Sequence, residues 1–227
     1  MTDHSTPMTD AGVFTSWLRR MLYSLATDSD THTPCGDCTG CCRSSNFIHI
    51  HPDEKAALRA IPKTLTFPAP GAPKGTRLLG YDAEGRCPLL SDLGCTIYDA
   101  RPRTCRIYDC RAFAAAGLIP GTATDHPVGR KVGTWRFSYP TSHDKKCHQA
   151  VVAAARFLEE KADLFPGRKP PADPAQRTIL ALKVHRVFLE RQSDPDRVAS
   201  IVEASSRFEA KREALILRNE ISPRRFR

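Results

Sequence analysis

Eight cysteines lie close together in this sequence, and their spacing is that of metal ligands. The first four occur in the run Cys-Gly-Asp-Cys-Thr-Gly-Cys-Cys over residues 35–42. Each Cys-x-x-Cys turn can direct two sulfur atoms at one ion, and the glycines allow the backbone to turn tightly. Thiolate is a soft ligand that suits zinc, copper(I) or an iron–sulfur cluster. The predicted metal ligands are Cys35, Cys38, Cys41, Cys42, Cys87, Cys95, Cys105 and Cys110.

The adjacent pair Cys41 and Cys42 makes a single tetrahedral site for the first four sulfurs awkward. In extended chain, neighbouring side chains point to opposite sides. On a helix, Cys41 would lie about 60° outside the sector that the other three share. The eight cysteines therefore divide into two four-sulfur sites or form one multinuclear cluster. Neighbouring arginines could offset the thiolate charge and donate hydrogen bonds to sulfur. They are Arg43, Arg86, Arg101, Arg103, Arg106 and Arg111.

The spacing leaves the identity of the metal open. Bacterial ferredoxins use C-x2-C-x2-C-x3-C-P, whereas here the third cysteine is followed at once by the fourth. Zinc ribbons use two separated Cys-x-x-Cys pairs, whereas the distal cysteines are separated by 7, 9 and 4 residues. Zinc and iron are both candidate metals, and an iron–sulfur cluster is one form that iron could take.

The pattern resembles a known family. Cys35-Gly-Asp-Cys38-Thr-Gly-Cys41-Cys42 has the CxxCxxCC signature of the YkgJ-like cysteine-cluster proteins, and residues 85–110 are similar to the second half of that family's pattern. The resemblance implies a domain that chelates zinc or iron, an iron–sulfur cluster included. A similar cluster occurs in flagellin lysine methylases. The alternative that this implies is an iron–sulfur or metal-dependent redox or methyl-transfer enzyme.

Two groups that contain histidine are weaker candidates for a metal site. His49 and His51 form a His-x-His pair, but a strand residue followed by a helix entry explains them more simply. His143, Cys147 and His148 could supply a spare ligand set or a reactive thiol. A surface loop and the start of a helix is the favoured interpretation of that group. Cys147 is therefore outside the predicted ligand set, and the sequence assigns no catalytic residue.

Composition limits the classes of protein that fit. The chain has 227 residues with 41% hydrophobic and 26% charged side chains, which is ordinary for a soluble globular protein. It shows no apolar run of about 18 residues, as a membrane span needs, and no basic segment followed by an apolar stretch, as an export signal has. Many cysteines without an export signal favour metal binding over disulfides. We expect a cytoplasmic metal-binding protein with a structural or metal-handling role.

The net charge of +9 raises the question of nucleic acid. The excess of basic side chains lies after residue 110, where acidic side chains are interspersed with it. A solvated helical surface explains such a distribution best. A nucleic-acid-binding zinc protein is therefore the least favoured alternative. The metal ion is the one partner that the sequence predicts.

The elements around the cysteines are predicted to be short. Residues 47–50 are typical of a strand, and a helix should begin at Pro52 and end before Pro62. There a loop rich in proline and glycine begins, and it extends to residue 76. Residues 82–85 are expected to turn a hairpin between the segments on either side.

Longer helices are predicted outside the cysteine region. Apolar residues at helical spacing predict an amphipathic helix over residues 13–28, preceded by polar and mobile residues 1–11. Three more helices are predicted after residue 148, two of them capped by Asp173 and Asp194.

These elements define a predicted fold class and domain organisation. The expected fold is mainly α with a small irregular or β core that is rich in cysteine and stapled by metal. Residues 1–34 should form a polar tail and an amphipathic helix. Residues 35–147 should form the cysteine-cluster domain, and residues 148–227 a helical region packed on the same domain.

Overall fold

The structure is a computed structural model that describes residues 8–120, 126–165, 167 and 169–221. Over these residues the fold is mainly α with a few short strands, as predicted. The chain divides into two compact units. Unit 1 comprises Met1–Asp28, Cys110–Pro120 and Val132–Arg227, and unit 2 comprises Ser29–Asp109 and Gly121–Lys131.

Helices and short strands alternate along the chain. The α-helices are α1 (Phe14–Thr27), α2 (Lys55–Ala60), α3 (Arg103–Ile107), α4 (Arg111–Ala116), α5 (Pro127–Thr134), α6 (Ser142–Glu160), α7 (Pro174–Val184) and α8 (Asp194–Ile221). The strands are β1 (Thr9–Val13), β2 (Ile48–Ile50), β3 (Thr66–Pro68), β4 (Arg77–Leu79), β5 (Leu90–Ser91), β6 (Gly94–Cys95) and β7 (Trp135–Ser138). Among the residues given above, no helix combines the length and the apolar character that crossing a membrane requires.

The core of unit 1 packs α1, α4, α6, α7 and α8 against one another. Phe14 and Trp17 of α1 and Leu158 of α6 are almost completely buried there. Complete burial of one such side chain stabilises the fold by about 1.5–3 kcal/mol. The cluster has eighteen buried members, so unit 1 has a substantial apolar core. The predicted helix over residues 13–28 is confirmed by α1.

Two C-terminal helices begin close to their predicted caps. The Asp173 carboxylate accepts a hydrogen bond of 2.9 Å from the Gln176 backbone N–H, which confirms the predicted cap of α7. α8 begins at Asp194, but the side chain that caps it is Ser193, whose hydroxyl accepts from the Asp196 N–H at 3.4 Å. The predicted cap at Asp194 is therefore wrong by one residue. Serine and aspartate cap equally well, so the sequence does not choose between adjacent ones.

A parallel strand pair orders the start of unit 1. β1 pairs with β7, and Thr9 lies beside Trp135. The prediction that residues 1–11 are mobile is wrong for residues 9–11, because a strand far along the chain pairs with them. Residues 1–7 lie outside the described part of the chain.

Asp144 stabilises the N-terminal ends of two helices in unit 1. In α6 it forms a capping box, in which the Thr141 N–H donates to its carboxylate at 2.9 Å and its own N–H donates to the Thr141 hydroxyl at 3.2 Å. In α1, the backbone N–H and the hydroxyl of Thr15 donate to the other carboxylate oxygen at 3.2 and 2.5 Å. The hydrogen bonds from Thr141 and Thr15 hold the pKa of Asp144 well below its usual range. With this box, α6 starts at Ser142, ahead of the predicted residue 148.

The substitution Asp144→Asn is expected to destabilise unit 1 at neutral pH and much less in acid. The native pKa lies below the value of about 3.9 for an unfolded chain, so the contribution of Asp144 is complete above that value and is lost as the pH falls through the native pKa. Urea midpoints measured from about pH 7 down to about pH 2 test this. The control Asp163→Asn removes an exposed carboxylate paired with Lys169 and should change the midpoint little. A loss from Asp144→Asn that persists unchanged in acid would contradict the prediction.

Unit 2 contains a small antiparallel sheet with strand order β2-β4-β3 and a short β5–β6 hairpin. β2 confirms the predicted strand, and α2 confirms the helix that ends before Pro62, although α2 begins at Lys55 and not at the predicted Pro52. The apolar cluster beside this sheet has five buried members. They are Ile50, Ala57, Ile61, Leu79 and Leu89. This cluster is much smaller than that of unit 1.

The hairpin predicted around residues 82–85 is wrong in its pairing. The turn itself forms, since the Gly85 N–H donates to the Asp82 carbonyl at 3.0 Å and the Arg86 N–H donates to the Asp82 carboxylate at 2.7 Å. β4, which precedes the turn, pairs with β2 and β3 and not with the segment that follows the turn. β3 itself lies within the predicted loop over residues 62–76. The turn depends on nearby residues, whereas the strand pairing depends on distant ones.

Candidate metal centre

The CxxCxxCC run of unit 2 forms a series of tight turns. The Cys38 N–H donates to the Cys35 carbonyl at 3.1 Å, and the Cys42 N–H donates to the Thr39 carbonyl at 3.0 Å. The Gly40 N–H, at the start of a 3-10 turn, donates to Cys38 Sγ at 3.4 Å. Local hydrogen bonds therefore fix the conformation of the first four cysteines.

Gly40 is needed in this run because a side chain there would collide with backbone. A Cβ at this position would lie 2.9 Å from the Pro127 carbonyl oxygen. Gly40→Ala is therefore expected to lower the free energy of unfolding of unit 2 by about 1–3 kcal/mol, measured by urea unfolding of the metal-loaded protein. The control Gly133→Ala adds a Cβ that meets no atom within 4 Å, and in a helix it should be neutral or slightly stabilising. Equal losses in the two variants would refute the role assigned to Gly40.

Backbone hydrogen bonds join the CxxCxxCC run to the distal cysteines. The Cys87 N–H donates to the Cys42 carbonyl at 2.7 Å, and the Ser45 N–H donates to the Gly85 carbonyl at 3.0 Å. Gly85 has a φ of +75°, and a Cβ there would overlap the Ser45 hydroxyl. Glycine thus permits the close approach that brings Cys87 next to Cys42.

Helix α3 carries Cys105 and is anchored to β2 and to the residues before α2. The Thr104 hydroxyl donates to the His49 carbonyl at 2.8 Å. The Arg103 guanidinium donates to the Asp53 carboxylate at 2.8 Å. These contacts on the two residues before Cys105 fix its position in unit 2.

His49 and His51 have structural roles in this arrangement. His49 supplies the backbone carbonyl that anchors α3. His51 Nδ1 lies 2.7 Å from Asp53 Oδ1, and the His51 N–H donates to the Glu54 carboxylate at 2.7 Å. These contacts agree with the simpler interpretation of the pair as a strand residue and a helix entry.

Seven thiols of unit 2 lie in one neighbourhood, where they influence one another electrostatically. They are Cys35, Cys38, Cys41, Cys42, Cys87, Cys95 and Cys105. Burial raises the pKa of Cys35, and the nearby Cys41 and Cys38 raise it further. Burial raises the pKa of Cys105 to about 12, with further repulsion from Cys41 and Cys87. Cys41 thus lies within reach of both the proximal and the distal cysteines.

The adjacent thiols of Cys41 and Cys42 share a hydrogen bond. Because the Cys42 thiol donates to Cys41, the pKa of Cys41 falls to about 7, whereas the pKa of Cys42 is raised. Burial opposes the shift at Cys41 and adds to the shift at Cys42. One member of the pair can therefore be a thiolate near neutral pH while its neighbour retains its proton.

Arg101 is the cation whose charge favours the thiolate forms of Cys35, Cys41 and Cys105. Its guanidinium lies 3.5 Å from the centroid of the Tyr98 ring, and its Nε donates to the Tyr98 carbonyl at 2.7 Å. Three of the other predicted arginines are paired with carboxylates, namely Arg86 with Asp82, Arg103 with Asp53 and Arg106 with Asp30. Tyr98 therefore holds Arg101 in a position to offset the negative charge of the thiolates.

The two remaining cysteines belong to unit 1. Cys110 directly precedes α4 and is buried, and its Sγ accepts a hydrogen bond of 3.1 Å from the Trp135 indole N–H. Cys147 lies on α6 in the apolar core, 3.5 Å from His143 Nε2, and burial raises its pKa. The structure brings seven predicted ligands together in unit 2, and the role of Cys110 as a ligand stays a prediction.

The donor chemistry of unit 2 suits a soft metal ion. Several sulfur donors lie within electrostatic reach of one another there, and a positioned arginine can offset their charge. In the part of the chain that the structure describes, the cysteines form no disulfide, and no group of three or more Cys, His, Asp or Glu side chains already stands in an arrangement that could hold a metal. The case for zinc or iron therefore rests on the type of the donor atoms and on their proximity.

Comparison with known proteins assigns the cysteine segment. Residues 34–124 match the CxxCxxCC family model, described as "Putative zinc- or iron-chelating domain". This segment is similar to a CxxCxxCC domain. The match covers less than half of the chain and includes all eight predicted ligands, whereas Cys147 lies outside it. No curated protein and no solved structure matches the chain. The assignment supports binding of a metal ion by the CxxCxxCC domain.

Proposed function

We propose that the CxxCxxCC domain binds zinc or iron through its cysteine thiolates and that the metal stabilises the fold of unit 2. The observation that carries this proposal is the proximity of seven thiols in a unit whose sheet packs, among the described residues, against a cluster of five buried apolar side chains. A small apolar core leaves stability to be supplied by other means, and a structural metal is one of them.

The ionisation of the thiols supports the same function. Burial and mutual repulsion raise the pKa of Cys35, Cys87 and Cys105, so negative charge accumulates unfavourably in this neighbourhood without a cation. A bound Zn²⁺ or iron ion would supply that cation and hold the sulfurs as thiolates. Binding should therefore release protons and weaken in acid.

The proposed ligands are those that the sequence predicts. The seven thiols of unit 2 would hold one multinuclear cluster or two sites, and Cys110 would be the eighth ligand. A reducing compartment such as the cytoplasm would keep the thiols available for metal. The role that follows is structural, or one in metal handling.

Anaerobic purification of the full chain, followed by three measurements on one sample, tests this function. Elemental analysis, an assay for labile sulfide and a visible spectrum together give the metal, its stoichiometry and the type of cluster. We expect tightly bound zinc or iron, and loss of the metal when Cys87 and Cys105 are both replaced by serine. The control Cys147→Ser should keep its metal. Protein that contains neither zinc nor iron would overturn the proposal, and colour with sulfide would favour an iron–sulfur centre and reopen the enzymatic alternative.

A further inference from the structure

Unit 1 contains a surface cavity with a volume of about 490 Å³ that the metal-binding function does not use. It lies between α6, the 3-10 turn His185–Phe188 and the first turn of α8. Val152, Phe157 and Phe188 form an apolar wall. The volume is within the range of about 300–1,000 Å³ that small-molecule sites occupy. The cavity is therefore large enough for a small organic ligand.

Arg197 lines this cavity and is held over two aromatic rings. Its guanidinium carbon lies 5.0 Å from the centroid of the Phe188 ring and 5.6 Å from that of Phe157. Only 19% of the side chain is exposed, so its orientation is restricted. Rings that carry a negative face hold a cation in place without neutralising its charge. The aromatic pair thus positions the guanidinium at the cavity wall.

The charge of Arg197 is incompletely compensated within unit 1. Its Nε is buried and has no hydrogen-bond partner among the described residues. Its NH1 lies 3.8 Å from Asp194, a carboxylate that is closer to Lys161, at 3.3 Å. The other charged residues of the lining are Arg156, Glu160 and Lys161, and of these Arg156 and Glu160 lie 3.9 Å apart and are exposed. The lining therefore carries more positive than negative charge, and Arg197 has room for a further anionic partner.

We propose that this cavity binds a small amphipathic carboxylate, with the carboxylate at Arg197 and the apolar body against Val152, Phe157 and Phe188. A planar guanidinium matches a carboxylate through two parallel hydrogen bonds. The apolar wall next to it accounts for the rest of such a molecule.

Titration of the full chain with octanoate, followed by backbone NMR shifts at Val152 and Ala153, tests the proposal. Octanoate is expected to bind at low salt, whereas acetate, which lacks the apolar body, and 1-octanol, which lacks the charge, should bind much more weakly. Arg197→Gln should weaken octanoate binding about 10- to 100-fold, the loss expected for a charge-assisted hydrogen bond. The control Arg191→Gln removes an exposed arginine outside the lining and should leave the affinity unchanged.

A second variant keeps the test decisive if Arg197→Gln lowers the stability of unit 1. Glu160→Gln removes the one acidic side chain of the lining at an exposed position and should strengthen octanoate binding. Any one of three results would overturn the proposal. Octanoate could cause no shifts, it could bind the Arg197→Gln variant and the native chain with equal affinity, or 1-octanol could bind as tightly as octanoate. None of these outcomes depends on the metal in unit 2.

Discussion

Removal of the metal from the CxxCxxCC domain is expected to unfold unit 2 and to leave the helices of unit 1 folded. Binding of a structural zinc ion by thiolates contributes about 10–16 kcal/mol in small metal domains, as much as the whole stability of a typical domain. Among the residues that the structure describes, the apolar cluster beside the sheet of unit 2 has five buried members, whereas that of unit 1 has eighteen. We therefore expect unit 2 to depend on a bound metal far more than unit 1 does.

Limited proteolysis and hydrogen exchange on the anaerobically purified protein measure this difference. A strong chelator is added in steps, and protection is followed separately for residues 29–109 of unit 2 and for α6 of unit 1. We expect protection over 29–109 to be lost in parallel with the metal, with little change in α6. Zinc or iron added back should restore it. Residues 29–109 that stay protected after complete removal of the metal would show that the metal has no structural role.

Cys41→Ser is expected to cause the largest loss of metal binding of any single substitution in unit 2. The Cys41 thiol lies within electrostatic reach of Cys35, Cys87 and Cys105 and shares a hydrogen bond with Cys42. A serine hydroxyl is a poor ligand for a soft metal. The loss of a group that merely supports a ligand already costs about 10- to 100-fold in affinity. Loss of this sulfur should cost at least as much.

Competition with a chromophoric chelator gives the affinity, and elemental analysis of the same sample gives the stoichiometry. Cys147→Ser is the matched control, because this cysteine lies in the core of unit 1 and is not a predicted ligand. Cys110→Ser tests the eighth ligand, since a drop in metal content would assign Cys110 to the site. A Cys41→Ser protein with native affinity and stoichiometry would show that Cys41 is not a ligand.

The helices of this chain could be predicted because their signals are local. The apolar spacing that predicts α1 lies entirely within residues 13–28. The cap of α7 is also local, because Asp173 accepts a hydrogen bond from the backbone N–H of Gln176, three residues later. Start positions were less exact, since Ser193 and not Asp194 caps α8. α6 starts earlier than its apolar stripe indicates because of the capping box at Thr141.

The strands could not be predicted equally well, because each depends on a partner elsewhere in the chain. β1 pairs with β7 across more than half of the sequence. β4 follows a predicted loop and precedes a predicted turn, yet it pairs with β2 and β3. Short segments of two to five residues carry too little hydrophobic pattern to select a partner.

The sequence by itself determined the chemistry of the candidate site. The sulfur donors of the cysteines and their Cys-x-x-Cys spacing predict ligands for a soft metal. The same residues carry the resemblance to the zinc- or iron-chelating family whose model matches residues 34–124. The tertiary structure decided which of these thiols lie near one another. The hydrogen bond from Cys87 to Cys42 and the anchoring of α3 bring seven of them together, whereas Cys110 belongs to unit 1 beside Trp135. Ligand type is a property of single residues and their neighbours, but the grouping of ligands depends on backbone contacts between distant segments, which no local pattern encodes.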